Sequence, residues 1–227
     1  MERFFNGFTL KICTGGFPLS TDSMALADFV KLPRNARVLD LGSGCGTLGV
    51  LLCARDENCT VTGIELDEIA HLTALENSRD NALTERLTSI CGDMTQIPGS
   101  MASGFSVCIS NPPYFSAGPA AKLTQARRED HCDAAQLFAS AARALKWGGD
   151  FYLVHRPERL AELCACAAQE NLAVKRLCLL RHKENGPVSL ILLQCRKGGK
   201  PGLIWQEEFL HNQDGSFSDY YRKLYHL

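Results

Sequence analysis

Short apolar runs recur along the chain, and the segments between them carry apolar residues at the spacing of a helix face. Nearly continuous apolar runs are typical of strands in a parallel sheet, because helices cover both faces of such a sheet. The predicted core strands are 38–41, 59–65, 87–90, 106–110 and 151–154. The predicted helices between them are 47–54, 68–81, 133–147 and 157–169, and Gly148 and Gly149 are expected to end the third. This alternation of strand and helix indicates an α/β fold.

The carboxyl-terminal third departs from the alternation. Residues 174–180 and 188–195 form a predicted hairpin around a turn at 184–187. Added to the five parallel strands, this hairpin predicts a mostly parallel sheet of seven strands that ends in an antiparallel pair, with helices on both faces. Residues 203–209 are a candidate for a last strand.

The amino-terminal region precedes this core. A short strand is predicted over 8–13, and the Ser-Thr-Asp sequence at 20–22 is a helix cap, which predicts a helix over 23–30. We expect residues 1–33 to form an N-terminal segment that covers a ligand and 34–227 to form one domain.

One loop carries the strongest signal for a ligand. Gly42, Gly44 and Gly46 follow the first core strand at alternate positions, and Asp40 ends that strand. Glycines let the backbone approach a ligand closely, and the helix behind them offers free N–H groups. The spacing to Gly49 also matches a dinucleotide fingerprint, so a nicotinamide or flavin site and a purely structural turn are alternatives. Asp40 would repel a pyrophosphate but suits the cationic S-adenosylmethionine, and the pattern resembles motif I of the Rossmann-like methyltransferases.

Further cofactor contacts are predicted where other strands end. Glu65 ends the second core strand about 20 residues past the glycine loop, where an acidic residue accepts hydrogen bonds from ribose hydroxyls. Leu66 follows it at the same edge. Asp93 follows the third strand and can accept from the adenine amine, although a simple turn residue is the alternative. Thr21 and Asp22 are predicted to fold over the cofactor, and a helix that only covers the core is the alternative.

The fourth core strand ends in Asn111, Pro112, Pro113, Tyr114 and Phe115. The prolines fix the backbone and leave a carbonyl that neither a helix nor a ladder uses. The Asn111 side-chain oxygen and that carbonyl make two acceptors, which can hold both hydrogens of a planar amino group. We predict Asn111, Pro112 and Tyr114 as catalytic, Asn111 also as a cofactor contact, and Pro113 and Phe115 as substrate-binding residues.

Composition limits the partners, the metals and the compartment that we expect for this chemistry. The formal net charge is −1, so a surface for nucleic acid would have to be a local patch. The 11 cysteines form no Cys-x-x-Cys pair, and the histidines show no metal spacing, so we expect no metal and reduced thiols in the cytoplasm. No apolar run approaches the ~18–20 residues of a membrane span, and we expect no membrane contact.

The motifs together resemble a family, the bacterial tRNA adenine-N6 methyltransferases that modify adenine 37 of a valine tRNA. The matching segments are 17–23, the glycine loop, 64–67, 111–115, 126–129, 156–160 and 221–223. The resemblance implies a class I fold, transfer of the methyl of S-adenosylmethionine to N6 of adenine in tRNA, and S-adenosylhomocysteine as product. It also implies that Arg128 contacts the substrate. We expect a monomer or a weak homodimer.

Besides a nicotinamide oxidoreductase, which Asp40 disfavours, two other functions remain open at this point. Glutamine-N5 methyltransferases of translation factors share Asn-Pro-Pro-Tyr, but they would need a helical substrate domain before the core, where this chain has only residues 1–33. An RNA-associated protein that binds the cofactor without turnover is the second, and the intact 111–114 motif disfavours it.

Overall fold

The computed structural model describes residues 2–3, 7–15, 19–112 and 134–226, and the predictions for Pro113, Tyr114, Phe115 and Arg128 lie outside them. The described strands are β1 (Glu2–Arg3), β2 (Thr9–Leu10), β3 (Arg37–Leu41), β4 (Thr60–Glu65), β5 (Leu87–Cys91), β6 (Phe105–Ser110), β7 (Leu145–His155), β8 (Leu172–Lys183), β9 (Val188–Lys197) and β10 (Ile204–His211). The described α-helices are α1 (Thr21–Phe29), α2 (Thr47–Arg55), α3 (Glu68–Asp80), α4 (Ala134–Ala144), α5 (Leu160–Gln169) and α6 (Asp219–Tyr225).

The main sheet contains eight of the described strands, in the order β10-β8-β9-β7-β6-β3-β4-β5. The five strands from β7 to β5 in this order are parallel, β9 runs antiparallel to both β7 and β8, and β10 pairs with β8 in parallel. The predicted mostly parallel α/β fold is therefore confirmed, but the described sheet has eight strands and not the predicted seven, because the candidate strand over 203–209 is β10 and pairs with β8 beyond the hairpin. The strand order reverses between β3 and β6, and ligands of open α/β sheets bind at the carboxyl ends of strands at such a reversal.

Neighbouring residues of the central strands enter two separate cores. Val38 packs in the cluster that includes α1 and α2, whereas Leu39 packs in the cluster that includes α4 and α5. On β6, Ile109 packs in the cluster of α1 and α2, and its neighbour Cys108 packs in the cluster of α4 and α5. Successive side chains of a strand point to opposite faces, so a continuous apolar run is buried on both sides when helices lie on both faces. The predicted placement of helices on both faces is confirmed.

The third predicted helix is wrong at its carboxyl end. Helix α4 ends at Ala144, and Leu145 already belongs to β7, so Gly148 lies inside the strand instead of ending a helix. The pairing of β6 with β7 shifts register between Phe105 and Val107, and this irregularity accommodates the extra residues of β7. Leu145 is fully buried and continues the apolar stripe of the helix, so helical spacing alone does not reveal where the helix stops.

The N-terminal segment is held by two asparagine side chains, one in the last turn of α3 and one at the cap that follows it. The backbone N–H of Thr9 donates to Asn81 at 2.7 Å, and that of Lys11 donates to Asn77 at 2.8 Å. Ser20 caps α1, as predicted, by accepting from the backbone N–H of Ser23 at 3.4 Å. The division of the chain at residue 33 stays a prediction.

Gly63 of β4 leaves no room for a side chain, because the glycine loop packs against it. An alanine methyl group there would meet the Oγ of Ser43 and lie 2.7 Å from its Cβ. We expect Gly63→Ala to lower the free energy of unfolding by about 1–3 kcal/mol, measured by urea titration. Gly92→Ala is the control, since nothing lies within 4 Å of its added Cβ, and it should change stability by less than about 0.5 kcal/mol. Equal losses in the two variants would contradict this explanation.

Candidate active site

The glycine loop turns away from the end of β3 through three left-handed residues. The φ angles are 73° at Gly42, 53° at Gly44 and 79° at Gly46, a region that residues with a Cβ rarely adopt. The N–H groups of Gly42 and Ser43 both donate to the carbonyl of Ile64, at 3.0 and 3.1 Å, which holds the loop against β4. Gly46 is the N-cap of α2. The loop therefore presents backbone and a helix N-terminus to the edge of the sheet.

Three strand ends meet at this edge. In the parallel register Asp40 pairs with Gly63 on one side and with Ile109 on the other. Gly42, Glu65 and Asn111 each lie two residues further along, so they are level across β4, β3 and β6. The structure thus brings together the predicted cofactor loop, the predicted ribose acceptor and the predicted acceptor of the substrate amine.

Asp40 is buried beneath the glycine loop, and no hydrogen bond from a described residue offsets the cost of burying its carboxylate. Its residue is 1% exposed, and neither carboxylate oxygen has a hydrogen-bond partner among the described residues. The Oγ of Ser43 is a third buried polar atom in this state. Burial, and then the charge of Glu65, raise the pKa of Asp40 to about 8. Orphaned buried acceptors are costly, and a ligand that brings a positive charge or N–H donors would relieve that cost. A pyrophosphate would add to it.

Glu65 connects its own strand end to the glycine loop. Its Oε2 accepts from the backbone N–H of Gly44 at 2.7 Å, and its Oε1 accepts from that of Asp67 at 2.9 Å. A carboxylate has about four acceptor positions, so these two bonds leave capacity for ribose hydroxyls. Leu66 is 50% exposed beside it and offers an apolar surface at the same edge.

Asp93 lies beyond the end of β5 and holds a turn. Its Oδ1 accepts from both the backbone N–H and the hydroxyl of Thr95, each at 2.8 Å. This is the local role that the sequence left open as an alternative, and contact with the adenine amine stays a prediction.

Asn111 follows β6 and is held from two directions. The hydroxyl of Ser110 donates to the carbonyl of Leu41 at 2.8 Å, which fixes the end of β6 to β3. The Nδ2 of Asn111 donates to the Oγ of Ser23 in α1 at 3.0 Å. Helix α1 therefore reaches the active edge, but through Ser23, which the sequence did not single out.

The two residues of α1 that were predicted as cofactor contacts face other groups. The hydroxyls of Thr21 and Tyr225 lie 2.9 Å apart, which links α1 to the C-terminal helix. Burial raises the pKa of Asp22, while the nearby charges of Arg156 and His182 oppose the rise. Neither role toward a cofactor is established by these contacts, and both stay predictions.

Asn77 is a further residue that sequence reasoning missed. It is 1% exposed, and its Nδ2 donates to the carbonyl of Cys45 in the glycine loop at 2.8 Å. It therefore holds the loop from behind. The available signal was its spacing, because Asn77 follows Ala70 and Ala74 on the buried face of α3.

In the part of the chain that the structure describes, no helix is long and apolar enough to cross a bilayer. The residues of that part also include no group of three or more histidine, cysteine, aspartate or glutamate side chains that could hold a metal ion.

The fold and this edge define a Rossmann-like methyltransferase of class I. Its architecture is similar to that of a protein from Agrobacterium tumefaciens described as a predicted O-methyltransferase, with a TM-score of 0.76, 24% identity, and 91% of this chain and 96% of that chain covered. A geranyl diphosphate C-methyltransferase from Streptomyces coelicolor, crystallised with S-adenosylhomocysteine, has a TM-score of 0.57 at 13% identity, covering 77% of this chain and 78% of its own.

The chain belongs to the methyltransferase small domain family, whose model matches residues 19–164. Among curated proteins it is similar to the tRNA1(Val) (adenine(37)-N6)-methyltransferase of Aeromonas hydrophila, with 32% identity over 212 residues, 91% of this chain and 87% of the relative. The family resemblance predicted from the sequence motifs is therefore confirmed, and S-adenosylmethionine is the cofactor of the class.

Cofactor affinity should depend on pH through Asp40. A carboxyl whose pKa is raised to about 8 is mostly protonated at pH 6, and only its ionised form attracts a cationic ligand. The affinity for S-adenosylmethionine should therefore rise by up to about tenfold per unit between pH 6 and pH 8. Calorimetry at several pH values measures this slope.

The control for this prediction is Asp40→Asn, which keeps the shape of the side chain and removes its titration. Its affinity should be lower than that of the wild type at pH 8 and nearly constant across the range. A slope that is unchanged in Asp40→Asn would assign the pH dependence to another group.

Proposed function

We propose that this protein is an S-adenosylmethionine-dependent methyltransferase that methylates N6 of adenine in a tRNA. The observation that carries the proposal is the position of the Asn111 carboxamide, level with Gly42 and Glu65 at the point where the strand order reverses. The residue that would hold an amino group therefore lies beside the loop that would hold the methyl donor. The name of the relative from Aeromonas hydrophila supports adenine in tRNA as the acceptor.

The residues present fit the cofactor. Asp40 would accept from its amino group, Glu65 from its ribose and Asp93 from its adenine, with Leu66 against the base. The backbone of Gly42, Gly44 and Gly46 allows close approach, and Thr21 and Asp22 would cover the site. When bound, the cofactor supplies an electrophilic methyl group on a sulfonium.

The acceptor would be held by the 111–115 segment. Asn111 Oδ1 and the Pro112 carbonyl would accept the two hydrogens of the adenine amine, so that its lone pair points at the methyl donor. Tyr114 would stack on a base extruded from its own stack, with Pro113 and Phe115 beside it. Positioning and charge stabilisation of this kind require no dedicated base. Arg128 would contact the nucleic acid backbone.

We also infer the setting of the reaction. tRNA is the macromolecular partner, and the protein acts in the cytoplasm as a monomer or a weak homodimer. With a formal net charge of −1, its contact with tRNA would have to rest on a local patch of positive charge.

The test uses labelled methyl transfer to separate pools. Unmodified tRNA transcripts, rRNA transcripts, DNA and a translation release factor are each incubated separately with the protein and methyl-labelled cofactor. We expect label in the tRNA pool, and digestion to nucleosides should give N6-methyladenosine. A valine tRNA transcript with guanine at position 37 is the matched control and should take no label.

Other outcomes decide between the alternatives. Label only in the release factor would identify a glutamine methyltransferase and overturn the proposal. Cofactor binding without label in any pool would indicate a binding protein without turnover. Label in rRNA or DNA alone would keep the chemistry and change the partner.

A further inference from the structure

Ser23 contacts the residue that the proposed function places at the acceptor amine. It lies in the first turn of α1, is 6% exposed, and its Oγ accepts from Asn111 Nδ2 at 3.0 Å. We propose that Ser23 is a positioning residue, which sets the orientation of the Asn111 carboxamide and thereby determines which of its two ends faces the acceptor. This inference rests on the proposed function, because the proposed function supplies the amino group whose hydrogen the Asn111 oxygen would accept.

A carboxamide has two ends of nearly equal size and opposite hydrogen-bonding character. Rotated by half a turn, Asn111 would present an N–H group to the substrate amine, and two donors would oppose each other. The bond to Ser23 occupies Nδ2 on the α1 side, so Oδ1 is directed away from α1. The orientation that the reaction needs is therefore the one that Ser23 selects.

A hydroxyl can donate as well as accept, so the polarity of Ser23 must itself be set. The Oγ atoms of Ser23 and Ser20 lie 3.5 Å apart, and the Ser20 Oγ also accepts from the Ser23 backbone N–H. Ser20 can therefore take the hydroxyl proton of Ser23, which leaves the lone pairs of Ser23 for Asn111. Either hydroxyl of the Ser20–Ser23 pair can be the donor, and the proposal requires the arrangement in which donation runs from Asn111 through Ser23 to Ser20.

Both ends of the bond are held by other contacts. On the α1 side, the hydroxyl of Thr21 meets that of Tyr225 at 2.9 Å. On the β6 side, Ser110 donates to the carbonyl of Leu41 at 2.8 Å. Because neither element is held by the Ser23–Asn111 bond alone, its loss should change the orientation of the carboxamide without moving the backbone.

The kinetic test is a double-mutant cycle. Ser23→Ala should lower kcat by about fivefold to tenfold, the effect of one lost net hydrogen bond, while the KM for acceptor and the affinity for cofactor stay within about twofold. In the Asn111→Ala background the same change should have no further effect, because the group on which it acts is gone. Steady-state transfer of labelled methyl gives kcat and KM for the wild type, the two single variants and the double variant.

Two further variants separate positioning from folding. Ser140→Ala removes another buried helical hydroxyl, which donates to the carbonyl of Gln136 at 2.8 Å, and it should leave kcat unchanged. Ser23→Cys keeps the shape of the side chain with a slightly larger atom and offers only a weak acceptor, so it should fold and still lower kcat. A loss from Ser23→Ala that is equally large in the Asn111→Ala background would overturn the proposal, as would a normal kcat in Ser23→Ala.

A second readout needs no turnover. The Asn111 side-chain amide is the pair of nitrogen–proton NMR signals that Asn111→Ala lacks. We expect Ser23→Ala to shift this pair and to speed its exchange with water. If the pair is unchanged, the Ser23 proposal fails whether or not tRNA is the substrate. If the pair responds but no pool takes label, the proposed function fails and the orienting contact stands.

Discussion

Replacing Asn111 with alanine should lower methyl transfer by about 100-fold or more and change the affinity for S-adenosylmethionine far less, since its predicted contact with the cofactor is one of many. The change removes one of the two acceptors that would be aimed at the substrate amine, and losing one preorganised polar group at a reacting centre has an effect of this size. Asn111 lies beyond the end of β6, whereas the orphaned oxygens of Asp40 lie under the glycine loop of β3. Single-turnover transfer at saturating cofactor, together with calorimetry, separates the two effects.

Tyr114→Ala is the informative comparison for this result. Stacking of a base on an aromatic ring contributes roughly 1–3 kcal/mol, so its loss should weaken binding of the acceptor and transfer together. Asn111→Ala should instead leave acceptor binding largely intact, because backbone and stacking contacts remain. An Asn111→Ala variant that loses cofactor and keeps its turnover would show that the 111–114 turn is structural.

Glu65→Ala should weaken binding of S-adenosylmethionine by about 1–3 kcal/mol, which is roughly 5-fold to 150-fold in Kd. Two losses combine in this variant. The predicted bonds from the ribose hydroxyls disappear, and Gly44 loses the carboxylate that its N–H contacts at 2.7 Å. The loop would then be less fixed before the ligand arrives. Calorimetric titration of the free protein with cofactor gives the number directly.

Asp67→Ala is the matched control. It removes an acidic side chain that lies two residues from Glu65 and has a different structural role. The Asp67 carboxylate caps α3 by accepting from the N–H of Ala70 at 2.9 Å. Its loss should cost about 1 kcal/mol of stability and leave the Kd for cofactor nearly unchanged. Unchanged affinity in Glu65→Ala, or equal losses in both variants, would move the ribose contact elsewhere.

The apolar pattern by itself determined that helices cover both faces of the sheet in this protein. Val38 and Leu39 are adjacent in sequence and enter different cores, which is why an uninterrupted apolar run predicts a strand covered on both faces. The glycine spacing determined the loop in the same local way, because Gly42 and Gly46 adopt backbone angles that other residues avoid. Such properties depend on a residue and its near neighbours, and the sequence contains them.

Only the tertiary structure decided which residues hold the site in place. Ser23 is 88 positions from Asn111, and Asn77 is 32 positions from Cys45, yet each pair shares a hydrogen bond. It also decided the end of α4, where Leu145 fits an apolar stripe as well as a strand. Which partner a buried polar group finds depends on how the strands align across the sheet. That alignment is set by packing between distant segments, so no local pattern encodes it.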